Sequence, residues 1–191
     1  MVTTRNTRAD VVVAAGRLFA EKGYHGTSMR DLGRELGLLG SSLYAHVDSK
    51  QDLLVEVVEE GARLFGDSAT RALATPGTAN DRFRALISGH IEVVLANQDV
   101  VRTFLNEARM LDDEHRARVL SARDNYEYAF REVIRQGIGD GSFRDGTDPK
   151  MTSIFVLSVL NAVQRWYQPD GDLSPAQLAE AIFQFAVGSL I

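Results

Sequence analysis

TSMRDLGRELGLLGSSLYAHVDSK, residues 27–50, reads as two short helices joined by a glycine turn. Thr27 or Ser28 caps the first, and Asp31 stands where a carboxylate favours the positive end of a helix. Met29, Leu32 and Leu36 make its apolar stripe, and Gly37 stops it. Leu38, Leu43 and Val47 anchor the second helix, leaving Ser41, Ser42, Tyr44, Ala45 and His46 to face outward. Small polar residues followed by a tyrosine and a histidine suit a helix that lies against double-stranded DNA.

The chemistry of that contact follows from the side chains. A helix entering a groove needs short residues at its N-terminus, and Gly40, Ser41 and Ser42 supply them. Both serines can donate to phosphate oxygens, and the unpaired N–H groups of a helix start favour an anion. Tyr44 and His46 have the length to reach phosphates or base edges, while Arg30 and Lys50 bring charge from neighbouring helix starts. Arg5, Arg8 and Thr27 are candidate backbone clamps, and Ser28 and Ala45 complete the candidate DNA face.

The charge distribution agrees with that placement. The 191-residue chain carries a net charge of −5, which alone argues against a nucleic-acid partner. Within residues 1–50, however, Arg5, Arg8, Arg17, Lys22, Arg30, Arg34 and Lys50 outweigh Asp10, Glu21, Asp31, Glu35 and Asp48 by +2, leaving −7 on the remainder. A mildly basic head on an acidic body keeps phosphate at one end. At 45% hydrophobic and 25% charged residues, the composition is that of an ordinary globular protein. The absence of cysteine removes disulfides, thiolate zinc sites and cysteine nucleophiles, and it suits a reducing cytoplasm. No stretch approaches a membrane span, and Val11–Ala15 is too short for a signal segment, so a soluble cytoplasmic protein is expected.

Helical periodicity runs through the rest, so the expected fold is all-α. Val11, Val12, Ala15, Leu18 and Phe19 share a face of a first helix that ends at Lys22-Gly23, with Tyr24 packing back on Phe19. Asp48 or Ser49 caps a helix from about Lys50 into the low 70s, closed by Thr75-Pro76-Gly77-Thr78. Further helices are expected over 79–96, 98–110 and 113–136, then a loop over 137–143. Pro149 starts the next helix, which runs to Tyr167, and Ser174-Pro175 starts the last, to Leu190.

The runs AAGRLFAEKGYHGTSMRDLGRELG and SLYAHVDSKQDLL, residues 14–37 and 42–54, resemble the TetR family of bacterial transcriptional regulators. Apolar spacing, two glycines and the ending Leu43-Tyr44-x-His46-Val47-x-Ser49-Lys50 recur together, over about residues 8–60. The resemblance implies a head over 5–65, with its helix-turn-helix at 28–47, and an effector-binding and dimerisation body over 66–191. It also implies a homodimer on a palindromic operator, most often a repressor, released by a small effector. Leu39 and Gly40 stand where family members usually carry a polar cap and a long polar side chain, and Ala45 replaces what is often a larger one. Base readout then falls more on DNA shape and on His46.

In the body, Phe65, Phe83, Ile87, Phe104, Tyr126 and Trp166 are candidate walls of an effector site, although apolar residues at helical spacing usually just pack. The polar residues among them, His90, Glu107, Arg109 and Asn161, are sharper pointers. The tail Asn161–Gly171 is similar to that of family members that respond to acyl-CoA or lipid-like molecules, which implies an elongated apolar effector. Gly137–Asp145 with Asp148-Pro149 resembles the stretch before the family's dimerising helices. Those last two helices carry more apolar surface than one protomer can bury, so a homodimer through both is expected.

No enzyme is expected, because no nucleophile, base and orienting acid assemble around His25, His46, His90 or His115. Asp112, Asp113 and Glu114 with His115 read as a solvated helix start rather than a metal site, and no cofactor is expected: Gly137-x-Gly139-x-Gly141 follows a helix, not a strand. The alternative is a helical small-molecule-binding or protein-interaction module without sequence-specific DNA binding. Salt separates the two, since binding through phosphates weakens steeply as salt rises.

Overall fold

The computed structural model describes residues 7–38, 43–45, 47–188 and 190. Among these the chain forms α1 (Arg8–Gly26), α2 (Met29–Leu36), α3 (Lys50–Leu73), α4 (Ala79–Ala96), α5 (Gln98–Glu107), a 3-10 turn (Ala108–Met110), α6 (Asp113–Gly139), α7 (Pro149–Trp166) and α8 (Pro175–Gly188). No strand occurs among the described residues, and none of their helices is long and apolar enough to cross a membrane.

Short polar side chains set the helix starts. Thr7 and Asp10, Ser28 and Asp31, and Thr78 and Asp81 each form a reciprocal capping box at the heads of α1, α2 and α4. Ser49 rather than Asp48 caps α3, accepting from the Asp52 N–H at 3.1 Å. Asp148 accepts from Lys150 and Met151 ahead of α7, with Pro149 in the first turn. Gly23 at φ 74° interrupts α1, and Gly37 at φ 64° ends α2; both are left-handed conformations that glycine adopts without a Cβ clash.

Element ends differ from expectation at several points, the first being α1, expected to end at Lys22-Gly23 but continuing past that interruption to Gly26. The 98–110 helix breaks at Glu107 into the 3-10 turn. The loop expected at 137 begins later, because α6 continues through Gly139. The Phe143 ring folds back over Gly137, occupying the space a Cβ would need, and the Phe143 N–H donates to the Gly137 carbonyl at 2.9 Å. The glycine there permits a close contact instead of stopping a helix.

The chain divides into two compact units: Met1–Ala62 with Asp99–Leu120, and Arg63–Gln98 with Ser121–Ile191. In the first, Val11, Leu18, Phe19, Leu32, Leu43, Val47, Leu53, Leu54 and Val57 form the core. Continuity along the sequence does not define it, because α5 returns to it. Thr103 donates to the Gly16 carbonyl at 3.1 Å, and Gln51 donates to the Met110 carbonyl at 3.2 Å. The Phe104 ring lies where a Cβ on Gly61 would stand. In the second unit α8 lies chiefly along α4, and α7 packs on α4 as well. Its core is aromatic: Phe83 meets Phe130, Phe143 and Phe183 at centroid distances of 6.3, 5.7 and 6.3 Å.

Candidate DNA face and candidate effector site

The structure sorts the candidate DNA residues into supports and exposed groups. Thr27 is buried, and its hydroxyl donates to the carbonyls of Leu18 and Gly23 at 3.1 and 3.0 Å. Ser28 spends its hydroxyl on the α2 cap. The Lys50 ammonium donates to the carbonyls of Tyr24 and Thr27, each at 2.9 Å. These three fasten the end of α1 to the starts of α2 and α3. Arg30, Tyr44 and Ala45 are exposed, Tyr44 at 56%, directly beside the buried Leu43. Arg8 pairs with Glu56. Arg5, Gly40, Ser41, Ser42 and His46 lie outside the described residues.

The capping carboxylates are held ionised. Asp31 lies below its ordinary value chiefly because the Ser28 side chain donates to it, and the Thr7 and Thr78 backbone N–H groups do the same for Asp10 and Asp81. Asp112 caps α6, accepting from the His115 N–H and lying 2.7 Å from its Nδ1. The His115 ring thus sits on the carboxylate of its own helix start.

The candidate effector residues fall into three groups. Phe65, Phe83, Ile87 and His90 are buried in the second unit, where Tyr126 joins them half-buried. Phe104, Glu107 and Arg109 belong to the first unit. There Glu107 accepts from the Tyr24 N–H at 3.2 Å and Arg109 is exposed. Asn161 is half-buried on α7. Trp166 is 51% exposed and lines a shallow cleft of about 310 Å³ with Tyr167, Gln168 and Leu173.

His90 is the chemically unusual member. It sits mid-way along α4, 1% exposed, among Ile87, Ile91 and Val94. Phe65 stacks against it at 4.8 Å, Phe65 meets Tyr126 at 5.3 Å, and Tyr126 meets Phe130 at 5.5 Å. His90 Nδ1 lies 3.1 Å from the Tyr126 hydroxyl, but Nε2 has no hydrogen-bond partner among the described residues. Burial pushes the imidazole down to about 3 and the Tyr126 phenol up, so both are neutral near pH 7. An unmet buried polar group costs on the order of 1–3 kcal/mol. The hydrophobic spacing of α4 gave reason to pick out a histidine there, yet an unmet nitrogen depends on its neighbours and has no local sequence signal.

Outside that cluster, α7 and α8 expose Met151, Ile154, Phe155 and Phe185, the last two at 62% and 71%. Met151, Phe155, Val159, Ile182, Phe185 and Ala186 line a cavity of about 690 Å³ on this face.

Comparison with known proteins gives this architecture a family. Residues 11–57 match the family model for bacterial regulatory proteins of the tetR family, and residues 76–190 match the tetracyclin repressor-like C-terminal domain. The transcriptional repressor KstR2 of Rhodococcus jostii is 28% identical over 188 residues, covering 96% of this chain and 90% of the relative. The structure of the TetR family regulator PfmR from Thermus thermophilus aligns with TM-score 0.85 at 30% identity, over 93% of this chain and 97% of that one. AibR, solved in complex with isovaleryl coenzyme A and operator DNA, aligns with TM-score 0.85 at 25% identity, over 94% and 97%. With both of its parts matched in chain order, this protein belongs to the TetR family of bacterial transcriptional regulators.

Proposed function

We propose that this chain is a cytoplasmic repressor, not an enzyme, that binds a palindromic operator as a homodimer and is released by a small, mainly apolar effector. The observation that carries the reading is the head: exposed Arg30, Tyr44 and Ala45 beside a core of Leu32, Leu43 and Val47, within the stretch that matches the tetR-type model. Ser41, Ser42 and His46 complete the proposed DNA surface. KstR2 is named a repressor, and AibR was crystallised with an acyl thioester and with operator DNA, which supports both the sign and the class of effector. The proposed effector site is the aromatic cluster of Phe65, His90 and Tyr126, continued through Phe130 to Phe83.

The exposed apolar face of α7 and α8 supports the dimer. A contiguous apolar surface holding Phe155 and Phe185 is costly in water, and a two-fold axis covers it with its own copy. Selecting bound fragments from a random duplex library tests operator and symmetry together. Recovery of an inverted repeat is the expected result; recovery of no sequence at low salt overturns the reading.

A further inference from the structure

We infer that His90 is the polar receptor of the effector site, its Nε2–H donating to a neutral carbonyl oxygen on an otherwise apolar molecule. The inference deepens, and rests on, the reading of the body as effector-binding. If the Tyr126 hydroxyl donates to His90 Nδ1 across their 3.1 Å, the phenol proton is satisfied and the single unmet group is Nε2–H. In the opposite tautomer Nδ1–H donates to the phenol oxygen, and both the phenol proton and the Nε2 lone pair go unmet. Buried networks favour the arrangement with fewer orphans, so Nε2 carries the proton.

The surroundings of that donor decide which group can accept from it. Phe65 covers the imidazole, and Ile87, Ile91 and Val94 flank it on α4, all buried. The low basicity of the ring keeps it neutral at pH 7. An ionised carboxylate entering here would find no countercharge on His90 and would lose its water. A ketone or thioester carbonyl asks for one donor and brings no charge. The two share the chemistry, and the remaining aromatic lining takes up the apolar part. Tyr126 is only part-buried, so the cluster extends toward the surface at α6.

The test is thermal melting and calorimetric titration with isovaleryl-CoA, octanoyl-CoA, androstenedione and octanoate, on wild type, His90→Phe and His90→Gln. Expected: at least one of the three carbonyl probes binds wild type and octanoate does not. His90→Phe then weakens that probe by about tenfold, the loss of one buried hydrogen bond, and the amide N–H of His90→Gln restores part of it. Response to the CoA probes alone assigns a thioester, and response to androstenedione alone assigns a ketone; either supports the inference. Binding of octanoate as tightly as octanoyl-CoA, unchanged binding by His90→Phe, or no binding of any carbonyl probe overturns it. Should His90→Phe fail to fold, imidazole nitrogen NMR of the wild type decides, since a proton on Nδ1 overturns the assignment and one on Nε2 supports it. Gel shifts run alongside keep the two readings apart. Duplex binding without carbonyl response sinks the His90 assignment alone, whereas absence of duplex binding sinks the operator reading alone.

Discussion

The Lys50 ammonium stands 4.0 Å from the centroid of the Tyr24 ring while donating to the Tyr24 carbonyl at 2.9 Å. One cation thus holds both the face of an aromatic ring and the open end of α1. The Tyr24 hydroxyl in turn donates to Gln51 Oε1 at 2.7 Å. A residue whose type suggests a phosphate contact is engaged in bracing the helix-turn-helix. Lys50→Ala is therefore expected to cost about 1–2 kcal/mol of stability, through lost charge-assisted hydrogen bonds and a cation–π contact. Duplex affinity should fall with little change in its salt dependence. Gel shifts over a salt series check this: a slope reduced by about 0.9 per subunit contact would mark Lys50 as a phosphate ligand instead.

Ser28→Ala removes one half of the capping box on α2. Destabilisation of about 1 kcal/mol is expected, the ordinary cost of an N-cap. Denaturant unfolding measures it, and Ser28→Asp, which caps equally well, should restore the midpoint.

Acid should destabilise the protein in two steps. His90 binds a proton near 6.5 when unfolded but only at about 3 when folded, so the unfolded state holds more protons between those values. Stability accordingly rises with pH across that window and is lost as pH falls through it, at up to about 1.4 kcal/mol per pH unit. The lowered carboxylates of Asp10, Asp31 and Asp81 contribute above their ordinary value of 3.8 and lose that contribution as pH drops through their lower folded values. Melting curves from pH 7 to 3 should show both steps in the wild type, and His90→Phe should flatten the upper one.

Phe155→Glu and Phe185→Glu place charges on the exposed face of α7 and α8. Light scattering should report monomers, with the melting of each protomer's helices little changed. Losing the linkage between two half-site contacts should weaken operator binding by about a hundredfold or more. A variant that stays dimeric would place the interface elsewhere.

Gly61→Leu pushes a side chain into the Phe104 ring, whose Cβ already stands 2.7 Å from where a Cβ on residue 61 would lie. The expected cost is about 1–3 kcal/mol, typical of overpacking. Gly61→Leu combined with Phe104→Ala should recover part of it, and a double-mutant cycle measures the coupling.

Features written locally in the chain were legible from it. The α2 start at Ser28 and its stop at Gly37 follow from a short polar cap and from glycine's access to positive φ, whereas Gly23 only interrupts α1, which runs on to Gly26. The surplus apolar residues of α7 announced an uncovered face, and Phe155 is indeed exposed. Gly137 misled, because glycine marks both helix ends and close contacts, and only the distant Phe143 ring distinguishes them. Glu107 and Phe104 have the right types for a ligand wall, and the structure shows the contacts they make with Tyr24 and Gly61, which no local pattern names. Polarity within an apolar stripe says that a partner exists without saying which. His90 shows the reverse case, a nitrogen whose partner is missing, and that appears only once Tyr126 and Phe65 are in place.

The return of α5 to the first unit bears on how this regulator can be rewired. A fragment cut after residue 65 would leave the Gly16 carbonyl, the Tyr24 amide and the flank of Gly61 without Thr103, Glu107 and Phe104. Chimaeras that graft its reading head onto a foreign sensor must therefore carry residues 99–120 along, as a second splice, or inherit a raw apolar scar. Simple front-end swapping should leave the grafted head without these supports.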